Sequence, residues 1–223
     1  MLNRHLYTAI SSPRFSRYFN ACGSSKRKAL KLYRANIRLS QELYGVIGVF
    51  EVVLRNSIDR HYKGIKGDDW LADAVADTTG FLNAIGCEES YHAVQDGIHK
   101  LGLNYTHDNL VAKLTFGFWT YQYEAKEYTA GGSTLINAFP LRPHGTKQKD
   151  IYKYLFKIND IRNRIAHYEP LCFDKHTGGI STALISRRYT LILDLLEWLG
   201  CAPKKILFGI DGVQKELSLI NTI

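Results

Sequence analysis

Arg162, Asn163 and His167 place three chemically versatile side chains near the end of an apolar helical pattern. Histidine can accept or donate a proton near neutral pH, and the guanidinium fork of arginine binds phosphate or carboxylate oxygens. Asn163 and His167 are four residues apart, so they lie on one face of a helix. Arg162 and His167 are five apart and point about 140° away from each other on an ideal helix. The pair can therefore converge only if the helix bends or if a second copy of the chain supplies one of them.

An apolar stripe predicts the helix that carries these residues, from Lys147 to about His167. Pro170 disfavours helical dihedrals at Glu169, so the helix is expected to end at or just before Glu169, with His167 in a frayed last turn. Cations near a helix C-terminus are also favoured by the helix dipole, which leaves a purely structural role open for Arg162 and His167. The stripe recurs at steps of three and four: Ile151, Leu155, Ile158, Ile161 and Ile165.

A second amphipathic helix is predicted from Gln41 to about Tyr62, and it carries another group of polar residues. Glu51 and Arg55 are four residues apart, with Asn56 beside them. They can form an ordinary intrahelical ion pair on a solvated face. Alternatively, they face the helix of Arg162 and His167 and orient its side chains.

Other helices follow from periodicity and capping signals. Ser24 or Ser25 can cap a basic helix with Leu30, Tyr33 and Ile37 buried, and Ser40 can cap the next helix. The aromatic run Phe116 to Trp119 either fills a core or stacks on RNA bases. These further predicted helices run over Lys26 to Ile37, Asp68 to Ala76, Glu88 to Leu101, Asp108 to Lys126 and Ile180 to Leu199.

Length and composition predict a single domain over residues 1–223, with an irregular N-terminal arm (1–23), a helical body (24–199) and a C-terminal tail (200–223). The 223 residues are 45% hydrophobic and 22% charged, which suffices for one substantial core. The net charge of +8 attracts polyanions such as nucleic acid, although a basic protein without such a partner fits equally well. The four cysteines form no CxxC pair, and neither a signal peptide nor a membrane span is evident. A cytoplasmic protein without metal or cofactor is expected.

Several blocks of the chain resemble one family. Arg162 and His167 fit the Arg-x4-His motif of HEPN ribonucleases, and the run from Ile161 to Pro170 resembles the signature of abortive-infection (Abi) proteins of the AbiD/AbiF type. Tyr168 departs from that signature, which usually has a second histidine there. Further blocks resemble the family in the same order: Ser12-Pro13-Arg14-Phe15, Ala29-Leu30-x-Leu32-Tyr33-x-x-Asn36, Glu51-x-x-Leu54-Arg55-Asn56, Trp70-Leu71 and Leu114-Thr115-Phe116-Gly117-Phe118-Trp119.

The resemblance implies an all-α fold, a HEPN-type helical bundle that cleaves RNA without metal as a homodimer. It also implies a role in bacterial phage defence or a toxin-antitoxin system, with an RNA or protein antitoxin. Arg162 and His167 would be the catalytic residues. An alternative is a helical module that binds RNA or a protein without cutting. The supporting residues would be Asn163, Glu169, Glu51, Arg55 and Asn56.

Overall fold

The computed structural model describes residues 10–77 and 79–223, and these residues form an all-α fold, as the sequence predicts. The only extended pairing among them is an isolated antiparallel bridge between Phe173 and Ile180. None of the described helices is both long and apolar enough to cross a membrane. The helices are α1 (Ser12–Ala21), α2 (Lys26–Lys66), α3 (Trp70–Asp73), α4 (Glu88–Leu101), α5 (His107–Lys113), α6 (Phe116–Tyr121), α7 (Ala125–Ala130), α8 (Gln148–Ala166), α9 (Ala183–Trp198), α10 (Pro203–Ile206) and α11 (Val213–Asn221), with short 3-10 turns at Phe81–Asn83, Gly102–Asn104 and Leu135–Ala138.

The described residues divide into two compact units. Helices α2, α8 and α9 each have residues in both units. The single domain over residues 1–223 stays a prediction. The first unit comprises residues 10–47, Ile161–Thr190 and Leu207–Ile223, and the second comprises Gly48–Asp160, without residue 78, and Leu191–Ile206.

Helix α2 is one continuous helix, whereas the sequence predicts two helices with a boundary near Ser40. The Ser40 hydroxyl donates to the Asn36 carbonyl oxygen at 3.0 Å, so Ser40 bonds back to the preceding turn and caps nothing. Ser25 does cap the helix, because its hydroxyl accepts from the Lys28 N–H at 3.4 Å. The predicted buried face of the basic segment is also wrong by one position. The residues buried between Lys26 and Ile37 are Ala29, Leu32, Ala35 and Asn36.

The predicted irregular arm contains a helix, α1 (Ser12–Ala21), while its residues 1–9 lie outside the described part of the chain. Pro13 falls in the first turn, where its missing N–H has no helical partner to lose. Tyr18 is buried and packs edge-on against Tyr33 and Phe173, with ring centroids 5.3 and 5.0 Å apart. These aromatic contacts order the segment, and a ten-residue helix gives too little periodicity to reveal itself in the sequence.

The prediction of one helix from Asp108 to Lys126 is wrong. Three short helices of the second unit, α5 to α7, occupy this stretch. Thr115 starts α6, where its hydroxyl accepts from the Phe118 N–H at 3.5 Å. Glu124 starts α7, where its carboxylate accepts from the Lys126 N–H at 2.8 Å. Side-chain caps therefore break the helical run at two places that apolar periodicity does not mark.

The aromatic run of α6 belongs to the core of the second unit. Phe116, Phe118 and Trp119 are at most 5% exposed, and Phe116 packs against Phe50 at 6.0 Å between ring centroids. The interpretation as a platform for RNA bases is therefore wrong for these rings.

The C-terminal tail is helical, through α10 and α11. In the first unit, Val213, Leu217 and Ile220 of α11 are buried. The Gly212 N–H donates to a Glu42 carboxylate oxygen at 2.8 Å, so the start of α11 is bonded to α2. The predicted helices at Glu88 to Leu101, Lys147 to His167 and Ile180 to Leu199 are observed within three residues of their expected ends, while Asp68 to Ala76 is shortened to Trp70–Asp73.

Candidate active site at the C-terminal end of α8

The end of α8 separates a buried side from an exposed one. Ile161 and Ile165 are 1% and 8% exposed and pack in the first unit. Arg162 is half-buried, whereas Asn163 and His167 are exposed. The helix therefore presents His167 to solvent and holds part of Arg162 against the protein.

Hydrogen bonds fix the end of α8, so the predicted fraying of the last turn is wrong. The Tyr168 N–H donates to the Ile165 carbonyl oxygen at 2.9 Å, and the Glu169 N–H donates to the Arg164 carbonyl oxygen at 2.8 Å. This pair of bonds is the Schellman motif, which ends a helix at a residue in the left-handed conformation. The His167 N–H still donates to Asn163 at 3.0 Å, so His167 is the last residue bonded into the helix.

Tyr168 occupies the left-handed position of this motif, with φ 55°. Glycine usually takes that position because an L side chain there costs about 1–2 kcal/mol. Backbone strain of this kind concentrates at functional sites, where the surrounding structure maintains it. The strained residue follows the candidate histidine directly, and its ring is 70% exposed.

Arg164 holds the strained turn in place, a role that the sequence analysis missed. Its side chain is buried; Nε lies 3.3 Å from the Glu169 carboxylate, and Nη2 donates to the Pro170 carbonyl oxygen at 2.7 Å. The ion pair between Arg164 and Glu169 takes the place of the apolar contact that commonly accompanies a Schellman motif. The available signal was the position of Arg164 on the buried side of α8, directly before Ile165. Glu169, predicted as a supporting residue, thus acts on Arg164.

Asn36 of α2 fixes the segment that follows the turn. Its side chain is 2% exposed, and its Oδ1 accepts from the Leu171 and Cys172 N–H groups at 2.7 and 3.2 Å. The sequence analysis gave Asn36 no role. Its signal is an amide inside the apolar stripe of α2, midway between Leu32 and Leu39.

Arg162 and His167 both retain capacity to bind or react. Arg162 Nη1 donates to Asn163 Oδ1 at 3.4 Å, while its buried Nε has no hydrogen-bond partner in the part of the chain that the structure describes. Asn163 therefore contacts Arg162, and its predicted role as a supporting residue of the site stays a prediction. The His167 imidazole forms no hydrogen bond or ion pair with any residue in the described ranges.

An open groove of about 460 Å³ lies beside the helix end, between α8 and α2. Tyr44 and Tyr168 line it and are 48% and 70% exposed, and Gln41 and Ser40 add polar groups. Exposed rings beside hydrogen-bonding side chains suit a flat, partly polar ligand such as a nucleobase. Asn36, Ile37, Ile165 and Ala166 complete the lining.

The remaining predicted supports, Glu51, Arg55 and Asn56, belong to the second unit. Arg55 Nη1 donates to the Ala112 carbonyl oxygen near the end of α5 at 3.4 Å. Glu51 is half-buried and Asn56 is exposed. Their role in orienting Arg162 and His167 stays a prediction.

Comparison of the chain with known protein families, with curated proteins and with solved structures finds no match. In the ranges that the structure describes, no group of three or more His, Cys, Asp or Glu side chains is arranged to hold a metal ion. A function for this chain must therefore be argued from its own residues, their geometry and the motif they resemble.

Proposed function

We propose that the chain is a metal-independent endoribonuclease in which Arg162 and His167 are the catalytic residues. One observation carries the proposal: a hydrogen-bonded, strained helix end presents an exposed His167, which has no partner among the described residues, beside an open groove. A histidine with a purely structural role would be expected to bond to a carbonyl or a carboxylate. The Arg-x4-His motif and the family blocks that resemble Abi proteins add independent support.

RNA supplies its own nucleophile, so the chemistry needs proton transfer and charge stabilisation. The His167 imidazole takes the proton from a 2′-hydroxyl, and O2′ forms a bond to the adjacent phosphorus. The bond from phosphorus to the 5′ oxygen breaks, and that oxygen receives a proton. Arg162 donates to the phosphate oxygens as their charge develops. The products are a 2′,3′-cyclic phosphate and a 5′-hydroxyl.

A homodimer is part of this proposal, because the reaction uses both a base and an acid. Each chain offers one histidine in the motif, with Tyr168 where the Abi signature usually has a second. Two copies would bring two His167 rings and two Arg162 side chains to a shared site. Phage defence or a toxin-antitoxin role, with an RNA or protein antitoxin, follows from the resemblance alone.

The test is RNA cleavage by the purified chain in EDTA, with the product ends identified. His167→Ala and Arg162→Ala are compared with matched controls, His176→Ala and Arg187→Ala, which alter exposed residues of the first unit. The wild type and both controls should cut and leave cyclic phosphates, while His167→Ala should be about 10²–10⁴-fold slower.

Cleavage at the wild-type rate by His167→Ala would overturn the proposal. Equal RNA binding by all five proteins, with no cleavage by any, would instead support the non-catalytic RNA-binding module.

A further inference from the structure

The first unit has a second concave surface, which is basic. It encloses about 710 Å³ between α2 and α11 and is termed here the basic groove. Leu30 and Leu219 contribute its apolar part. Its cationic lining includes Arg27, Lys31, Arg34 and Arg38, all of them exposed residues of α2.

These four cations form one continuous stripe. They follow one another at steps of four, three and four residues, which keeps them on one face of the helix. At 1.5 Å per residue the stripe extends about 16 Å from Arg27 to Arg38. It is therefore long enough to contact several successive phosphates.

The charge of the stripe is not neutralised by the described part of the chain. Arg27, Lys31, Arg34 and Arg38 make no ion pair with any described residue, and no carboxylate lines the groove. Like charges collected in a concave surface add their fields and concentrate anions. A solvated surface helix would more commonly intersperse acids among its cations.

The stripe continues toward the candidate active site. Gln41 lies three residues after Arg38, and Tyr44 lies three residues after Gln41. Both line the groove at the end of α8. Tyr44 and Tyr168 expose rings there, and such rings stack only on unpaired bases. Phosphate-binding cations followed by stacking rings are the features of a single-strand binding surface.

We propose that the basic groove binds the phosphate backbone of single-stranded RNA and leads the strand to the groove beside His167. The second half of this statement rests on the proposed ribonuclease function. Binding of a polyanionic strand by Arg27, Lys31, Arg34 and Arg38 does not depend on it.

The test measures binding of a labelled oligodeoxyuridylate over a range of salt concentrations. This probe carries the same phosphates as RNA but lacks the 2′-hydroxyl, so binding is separated from cleavage. Arg34→Gln/Arg38→Gln is compared with Lys204→Gln/Lys205→Gln, which removes two exposed cations of α10 in the second unit.

The groove variant should reduce the slope of log K against log salt by about 1.4, since each contact to a single strand contributes about 0.7. It should also bind about 25-fold more weakly near 0.1 M salt, while the control pair binds like the wild type. An unchanged slope, or equal losses in both pairs, would overturn the inference. Binding of phosphatidylserine vesicles through Arg34 and Arg38, without oligonucleotide binding, would overturn it in favour of a membrane surface.

The two proposals fail in different ways. If the wild type cuts RNA and the groove variant binds like the wild type, the basic groove is rejected and the ribonuclease stands. If the groove variant loses binding but no protein cuts RNA, the ribonuclease is rejected and the basic groove stands.

Discussion

Two histidines show how the same side chain is used in opposite ways in the two units. His167, in the first unit, is exposed and its ring has no partner among the described residues. His107, in the second unit, is 11% exposed; its Nε2 lies 2.6 Å from Asp59 and its Nδ1 lies 3.3 Å from Asp69. A ring bonded at both nitrogens serves the fold, whereas an unbonded ring on a fixed helix end is available for proton transfer.

The surroundings of His107 reinforce this contrast. Asp59 also accepts from Trp70 Nε1 at 2.9 Å and pairs with Lys63 at 3.0 Å. Burial by itself would raise the pKa of Asp59, but the hydrogen bonds from His107, Trp70 and Lys63 outweigh it and lower that pKa. This cluster ties together α2, α3 and α5 within the second unit, and no such network holds the His167 ring.

Exchanging the two histidines for alanine should separate activity from stability. His167→Ala should slow RNA cleavage by about 10²–10⁴-fold and leave the free energy of unfolding unchanged, because the ring bonds to no residue in the described ranges. His107→Ala should lower the free energy of unfolding by about 2–3 kcal/mol, since it breaks hydrogen bonds to a charged partner. Denaturant unfolding and initial cleavage rates measure both effects. A loss of stability in His167→Ala would show that the His167 ring also serves the fold, as the His107 ring does.

Arg164→Met should weaken the fixed helix end on which His167 depends. We expect a loss of about 2 kcal/mol in stability, because the guanidinium no longer donates to Pro170 and Glu169. Cleavage by the folded protein should fall about tenfold in kcat with KM little changed, as expected for a positioning residue. Glu169→Gln is the control, because Glu169 is 55% exposed and should matter much less. A change in KM alone would argue that Arg164 contacts substrate.

Asp59→Asn should remove the pH dependence that Asp59, in the second unit, gives to the free energy of unfolding. The pKa of Asp59 is lower in the folded protein than the usual value near 3.9 for an unfolded chain. Its ion pairs and hydrogen bonds therefore add stability above about pH 4, which is lost as the pH falls through the folded-state pKa.

We expect Asp59→Asn to cost about 1–2 kcal/mol at pH 7 and progressively less in acid, measured by denaturant unfolding across pH. A constant difference at all pH values would show that Asp59 contributes by packing alone.

Tyr168→Gly should have a small and favourable effect on stability. Glycine adopts φ 55° without the cost borne by tyrosine, so the free energy of unfolding should rise by up to about 1 kcal/mol. Loss of the exposed ring should at the same time weaken single-strand binding. Tyr168→Phe keeps the ring and is the control for binding. Unchanged binding by Tyr168→Gly would show that this ring does not contact the bases of the bound strand.

The sequence predicts the helical class and helices α4, α8 and α9 well, because their apolar stripes extend over several turns, but it divides the long helix α2 near Ser40. It misplaces short elements, whose order depends on contacts and caps. The helix of Ser12–Ala21 depends on Tyr18 packing against Phe173, and the breaks before α6 and α7 depend on the side chains of Thr115 and Glu124.

The candidate site is predicted only in part, and for the same reason. Spacing singles out Arg162 and His167 as candidates, because an arginine and a histidine at the end of an apolar helix are visible in the sequence alone. The contacts that hold the turn and the segment after it are not visible in the spacing. Arg164 bonds locally to Glu169 and Pro170, whereas Asn36 bonds to Leu171 from 135 positions away. The sequence does contain a sign of these roles, because Asn36 places an amide, and Arg164 a guanidinium, inside an apolar stripe.

In the proposed mechanism, His167 activates a 2′-hydroxyl of RNA. The most direct measurement uses an RNA oligonucleotide with a single 2′-deoxy substitution at the nucleotide whose 3′ phosphate is cut. Cleavage by the wild-type chain should disappear at that position and persist elsewhere, with 2′,3′-cyclic phosphates at the remaining cut sites. Continued cleavage at the substituted nucleotide would contradict the mechanism.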